Sequence, residues 1–187
     1  MRTVTLALAA TLLLGGCASV QLDAKDPTPA TLEKLRTLNL APAQTGPFAL
    51  APGRDKSMDT ALSGLRGSSL TPAKGSFAQL LKDTLLVELT AAGLYDPQSP
   101  ILIEGELTDS RVDAAIGTGT GRLAARFIVR RAGKTVFDKE LAVDASWESS
   151  FVGAIAIPAA MNQYGALYKA LVAKLIDDPG FRAALAR

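Results

Sequence analysis

Apolar residues recur at four-residue steps over residues 76–92, where Phe77, Leu81, Leu85 and Leu89 form one stripe. That spacing predicts a helix with one buried face. Ser76, with Gln79 three residues on, fits a capping box in which hydroxyl and amide each satisfy an orphan N–H. Gly93 followed by Leu94 fits a left-handed C-cap with its apolar clasp. Gln79, Lys82 and Asp83 are expected to face water.

From 101 to 148 the pattern changes to period two. Ile101, Ile103 and Leu107 share one face, and Val112, Ala114 and Ile116 continue in the opposite phase. The phase change predicts a bulge near Ser110. Leu123, Ala125, Phe127 and Val129 alternate with Arg122, Arg126 and Arg130. Phe137, Leu141, Val143 and Trp147 alternate with Asp138, Glu140, Asp144 and Glu148. These are three antiparallel strands, each with one dry and one wet face. Turns are expected at 117–121 and at Ala132-Gly133. Two registers keep the second hairpin's apolar faces together. A three-residue loop over 131–133 sets Arg126 opposite Asp138 and Phe127 opposite Phe137. A slip by two sets Arg126 opposite Glu140 and Arg122 opposite Asp144. Exposed ion pairs contribute only about 0–1 kcal/mol each, so turn chemistry decides for the first.

A last helix is predicted over 158–176, with Tyr164, Leu167, Tyr168, Leu171, Val172 and Leu175 as its stripe. Asp177-Asp178-Pro179-Gly180 ends it, because proline disfavours helix at the residue before it. Phe48 and Leu50 mark an early strand, preceded by a helical turn or strand near 32–40. Residues 53–75, rich in glycine and serine, read as a long loop with a helical turn around 58–65. The fold class is therefore α+β: a mixed or antiparallel sheet of about four strands with two helices on one face, in the order β-α-β-β-β-α.

The N-terminus has Arg2, an eleven-residue apolar run from Val4 to Leu14, and then Gly15-Gly16-Cys17. A basic start, a short apolar core and small residues make a secretory signal peptide. Leu14-Gly15-Gly16-Cys17 resembles the bacterial lipobox. The resemblance implies that residues 1–16 are removed and that Cys17 carries a diacylglycerol and a third acyl chain. Several chains anchor a protein firmly where one does not. Lipoproteins kept at the inner membrane carry an Asp just after the Cys. Ala18 and Ser19 stand here instead, which implies the periplasmic side of the outer membrane. Residues 17–31 read as a flexible tether of roughly 20 Å, and residues 32–187 as the periplasmic domain.

Composition narrows the chemistry. Of 187 residues, 48% are hydrophobic and 20% charged, as in globular proteins. A net charge of +2 demands no nucleic acid partner. There is no histidine and one cysteine. That excludes a histidine base, a histidine metal site, an internal disulfide and a cysteine zinc cluster. No cofactor or metal is expected.

The lipobox, the helix opening at Ser76-Phe77-Ala78-Gln79 and closing at Ala91-Ala92-Gly93, the three alternating strands and the closing Asp178-Pro179-Gly180-Phe181 resemble the YajG-type bacterial lipoproteins. The layout is similar to the wider lipoprotein set with a TolB-N-terminal-like fold. That set includes penicillin-binding-protein activators, the curli secretion lipoprotein and auxiliary lipoproteins of lipid ABC transporters. The resemblance covers about residues 46–187. It carries over no functional residue except Cys17, and residues 53–75 depart from its pattern.

Several features invite a site. Gly117-Thr118-Gly119-Thr120-Gly121 is glycine-rich like a phosphate loop. Such loops need a helix N-terminus behind them; here a strand follows and no Walker lysine is present, so a hairpin is expected. Ser68-Ser69 and Ser149-Ser150 lack a histidine, and no Ser-x-x-Lys occurs in the mature chain, so no catalytic residue is assigned. The acids from Asp138 to Glu148 fit a solvated strand face. Arg122, Arg126 and Arg130 form a basic stripe. They would either meet lipid or lipopolysaccharide phosphates or pair with the acids of the next strand. Residues 151–157 carry no charge, although connections normally run at the surface. Ile157 is expected to be core, while Phe151, Val152 and Ile155 are expected to be partly exposed as a contact for a partner or the membrane. The functional expectation is a non-catalytic accessory or adaptor for an envelope machine, with an envelope protein as partner. The alternative is a lipid- or lipopolysaccharide-binding transport auxiliary.

Overall fold

The computed structural model describes residues 21–22 and 26–187; the expected signal peptide over 1–16 and Cys17 lie outside the described residues. The elements are β1 (Gln21–Leu22), α1 (Pro29–Thr37), β2 (Gln44–Leu50), α2 (Ser57–Thr60), β3 (Leu62–Leu65), β4 (Ser68–Pro72), α3 (Phe77–Ala91), β5 (Ile101–Asp113), β6 (Gly117–Arg131), β7 (Lys134–Ser149), α4 (Gly153–Asp177) and α5 (Pro179–Ala184). The main sheet has the order β2-β5-β6-β7. β2 runs parallel to β5, and such a pair needs a crossover, here through α3. β5, β6 and β7 form an antiparallel meander. The expected α+β order β-α-β-β-β-α is the order of β2, α3, β5, β6, β7 and α4.

α3 forms where its caps and stripe agree. The Ser76 side chain accepts from the Gln79 N–H, though the Gln79 amide turns to Asp83 rather than back to Ser76. At the other end Leu94 N–H donates to Leu89 O and Gly93 N–H to Thr90 O, the paired bonds of a Schellman ending. Phe77, Leu81, Leu85 and Leu89 are all buried. They meet Leu123, Ala125, Phe127 and Val129 of β6 and the stripe of α4 in one core. Tyr164 and Tyr168 of α4 are buried within it. Their hydroxyls form a chain, 2.7 Å from Ser110 Oγ to Tyr164 Oη and 2.7 Å on to Tyr168 Oη, so these polar atoms are satisfied without water.

The structure bears out one expectation for β5 and corrects several others. The bulge expected near Ser110 is present, between Leu107 and Asp109. Thr108 and Ser110 are both buried, and Ser110 bonds Tyr164. The strand then ends at Asp113, so Ile116 leaves the phase of Val112 and Ala114 and stands 63% exposed. Residues 117–121 are strand, not turn. Gly119 sits on the inner face, where an added Cβ would lie 2.3 Å from Trp147 Cε2. The glycines recur every second residue because the indole lies across them.

The β6–β7 register is the charge-paired one: Arg126 stands opposite Glu140, Arg122 opposite Asp144 and Phe127 opposite Lys139. The turn has two residues, Ala132 and Gly133, both at positive φ, as type I′ hairpins require. A bulge between Val129 and Arg130 reconciles this turn with the register. Residues 53–75 hold α2 and the β3–β4 hairpin instead of a long loop. β4 pairs with β1 on one side and β3 on the other, and Gly64 O accepts from Ala114 N–H, which docks the hairpin on the end of β5. α4 begins at Gly153 rather than 158. Pro158 sits near its start, where its missing N–H forfeits a single helix bond. Finally, order reaches further toward the N-terminus than residue 32. β1 pairs with β4, α1 starts at Pro29, and the Thr28 N–H that opens α1 donates to the buried Glu88.

Candidate functional site

The outer face of the sheet is a charge lattice centred on β6. Arg122 Nη1 meets Asp144 at 2.8 Å and its Nε meets Asp109 at 3.1 Å. Arg126 grips Asp138 with Nε and Nη2, both at 2.6 Å, and touches Glu106 at 3.4 Å. Arg130 Nε meets Glu104 at 2.7 Å. The Arg126 fork, by its hydrogen bonds first, holds the Asp138 carboxyl below its usual range and its own guanidinium more firmly charged. The expected partners on β7 are present. Glu104, Glu106 and Asp109 of β5 were not foreseen; Glu104 and Glu106 alternate up to the bulge and Asp109 follows it. Arg122 and Arg126 meet carboxylates on both sides and Arg130 on one, so all three guanidiniums are already engaged.

At one end of this face α2 and β3 overhang the sheet. They enclose an open groove of about 1010 Å³ whose lining includes Met58, Leu62, Arg111, Thr120, Arg122 and Asp144. A second, far smaller cavity between α3 and α4 holds about 40 Å³. Between helices and sheet the space is filled by Phe77, Phe127, Tyr164 and Tyr168. The groove residues of α2 and β3 were missed because their segment was read as loop.

The second exposed feature is apolar. Phe151 is 79% exposed, Val152 51% and Ile155 61%, as expected. Ile157 is half-buried against the core, and Ala156 is the fully buried residue of the run. Ile116, from the β5–β6 turn, joins them at the same end of the sheet, because Gly117 pairs with Ser149. Arg66 fixes this end. From the β3–β4 turn its Nε donates to Ala114 O at 2.6 Å, Nη1 to Phe151 O at 2.9 Å, and Nη2 to Ser150 O at 2.7 Å and Ser149 Oγ at 3.2 Å. One guanidinium thus ties three connections together, using the donor fork that lysine lacks. Arg66 was not foreseen. Its one sequence signal is Arg66-Gly67, a turn pair with both residues at positive φ.

Ser149 is buried and spent on Ala114 O and Arg66, whereas Ser68 and Ser69 are exposed on β4. No group of three or more metal-ligating side chains occurs among the described residues. No helix of the described residues is long and apolar enough to cross a membrane.

No known sequence family and no curated protein matches the chain. Solved structures do match. The Xanthomonas campestris protein XCC0632, of family DUF330, superposes with a TM-score of 0.59 at 12% identity, over 89% of this chain and 96% of that one. At that identity the likeness is one of fold. A Caulobacter crescentus protein described as a lipoprotein matches at 15% identity and TM-score 0.46, over 82% of this chain and 93% of that one. A minor lipoprotein of Acinetobacter baumannii matches at 14% and 0.43, over 79% and 92%. The fold thus has a counterpart at near full length in the Xanthomonas protein.

Proposed function

We propose that this chain is a bacterial lipoprotein anchored through Cys17 at the periplasmic side of the outer membrane, with a non-catalytic domain that serves an envelope machine as an accessory or adaptor. The anchor rests on Leu14-Gly15-Gly16-Cys17. The observation that carries the adaptor reading is the open groove between α2–β3 and the charged sheet face, beside an interior filled with side chains. A protein that shelters an acyl chain needs an enclosed apolar chamber. A groove mixing Met58 and Leu62 with Arg111, Arg122 and Asp144 suits a protein surface, since interfaces combine an apolar centre with a polar rim.

The test is photo-crosslinking in intact cells from Ser63 and Thr120 in the groove, with Lys169 on α4 as the remote control. A discrete protein adduct from the groove positions, absent from Lys169 and lost with Met58→Asp, supports the reading. Adducts to lipid or lipopolysaccharide alone would favour the transport-auxiliary alternative.

A further inference from the structure

The direction of the first described strand bears on which end of the domain lies toward Cys17. β1 pairs in parallel with the end of β4, Gln21 beside Thr71 and Leu22 beside Pro72. β4 runs from the turn at Arg66 and Gly67 toward Pro72. Parallel strands run the same way, so Gln21 lies on the turn side of Leu22. Arg66 ties the turn to Ala114, Ser149, Ser150 and Phe151, so this is the apolar end. Cys17 lies four residues before Gln21, and four residues reach at most about 14 Å, about the length of strand from Thr71 back to Gly67.

We infer that the domain stands on the bilayer on this end, with Phe151, Val152 and Ile155 from the start of α4 and Ile116 from the β5–β6 turn in contact with lipid. This rests on the lipidation of Cys17 argued above. The side chains suit the place. Four large apolar groups stand 51–79% exposed, and no charged residue occurs between Glu148 and Lys169. The short connection also argues for lipid rather than protein as the occupant. A folded partner of roughly 30 Å does not fit between this end and a bilayer held within about 14 Å of Gln21. Because β5, β6 and β7 end or begin here, the strands stand upright on the membrane. The charged face and its groove then open sideways, parallel to the bilayer plane.

The test uses the full lipidated chain in phosphatidylcholine vesicles. Cys17 is the sole cysteine and is blocked by its lipid, so Ile155→Cys, Ile116→Cys or Lys134→Cys each provides one free thiol for a fluorophore. Lys134 flanks the turn at the far end of β6. Brominated lipid should quench the label at 155 and 116 several-fold more than at 134, with little dependence on salt. Phe151→Ser with Val152→Ser should cut the quenching at 116 while the chain still floats with the vesicles. Flotation without quenching at 155 and 116 would overturn the orientation alone and return the apolar end to a protein partner. A chain that does not float would remove the anchor, and the orientation with it.

Discussion

Trp147 can lie against β6 only where β6 has no side chain. At Gly119 an added Cβ would sit 2.3 Å from Cε2 and 2.4 Å from Nε1 of the indole, far inside van der Waals contact. Gly119→Ala is therefore expected to destabilise the domain by about 1–3 kcal/mol, the ordinary range for overpacking a filled site. In a Trp147→Ala background the same change should cost much less, because contacting residues are not additive. Urea titration of the four members of the cycle measures this. Equal costs in both backgrounds would contradict the account of the glycine repeat. The threonines between these glycines face outward, so the repeat of alternate residues is itself a strand signal. Glycine count drew attention to a turn, while the period of two carried the information.

Among the elements, the junction of α4 and α5 makes the clearest prediction. Asp178 is buried; its Oδ1 caps α5 by accepting from the Gly180 and Phe181 N–H groups, and its Oδ2 meets Lys139 Nζ at 2.6 Å. The Lys139 bond first, then the two backbone bonds, hold its carboxyl below the usual range. A depressed carboxyl stabilises the fold fully above its unfolded value of about 3.9 and ceases to do so as pH falls through the lower folded value. Thermal melts should therefore be level from neutral pH to about pH 5 and fall below about pH 4. Asp178→Asn keeps a good cap but lacks the titrating charge, so it should melt lower at pH 7 and lose less on acidification. An identical acid profile in wild type and variant would contradict this. α3 and the meander were legible because caps, stripe and alternation agreed there. The β6–β7 register was not, because it turns on Val136, an extra residue that lets a two-residue turn coexist with charge pairing. Local turn preference alone gives the wrong answer when a bulge absorbs the difference.

At the scale of the whole molecule, the apolar end was partly readable. The uncharged run marked Phe151, Val152 and Ile155. Ile116 and Arg66 become part of the same end only when three connections meet in space, which no local pattern records. The groove was unreadable for a similar reason, since α2 and β3 are short, weakly patterned and stable only by docking on β5. The proposed arrangement joins an anchor on Cys17, an apolar end turned to the membrane and a charged face open to a partner. Its most direct test is Cys17→Ser in the full chain, followed by membrane fractionation and a thermal melt. Four exposed side chains add to an anchor but do not replace several acyl chains. The variant should therefore leave the outer-membrane fraction, while its melting temperature stays within about 2 °C, since Cys17 precedes the folded elements. Recovery of the variant in the outer membrane at the wild-type level would contradict the account.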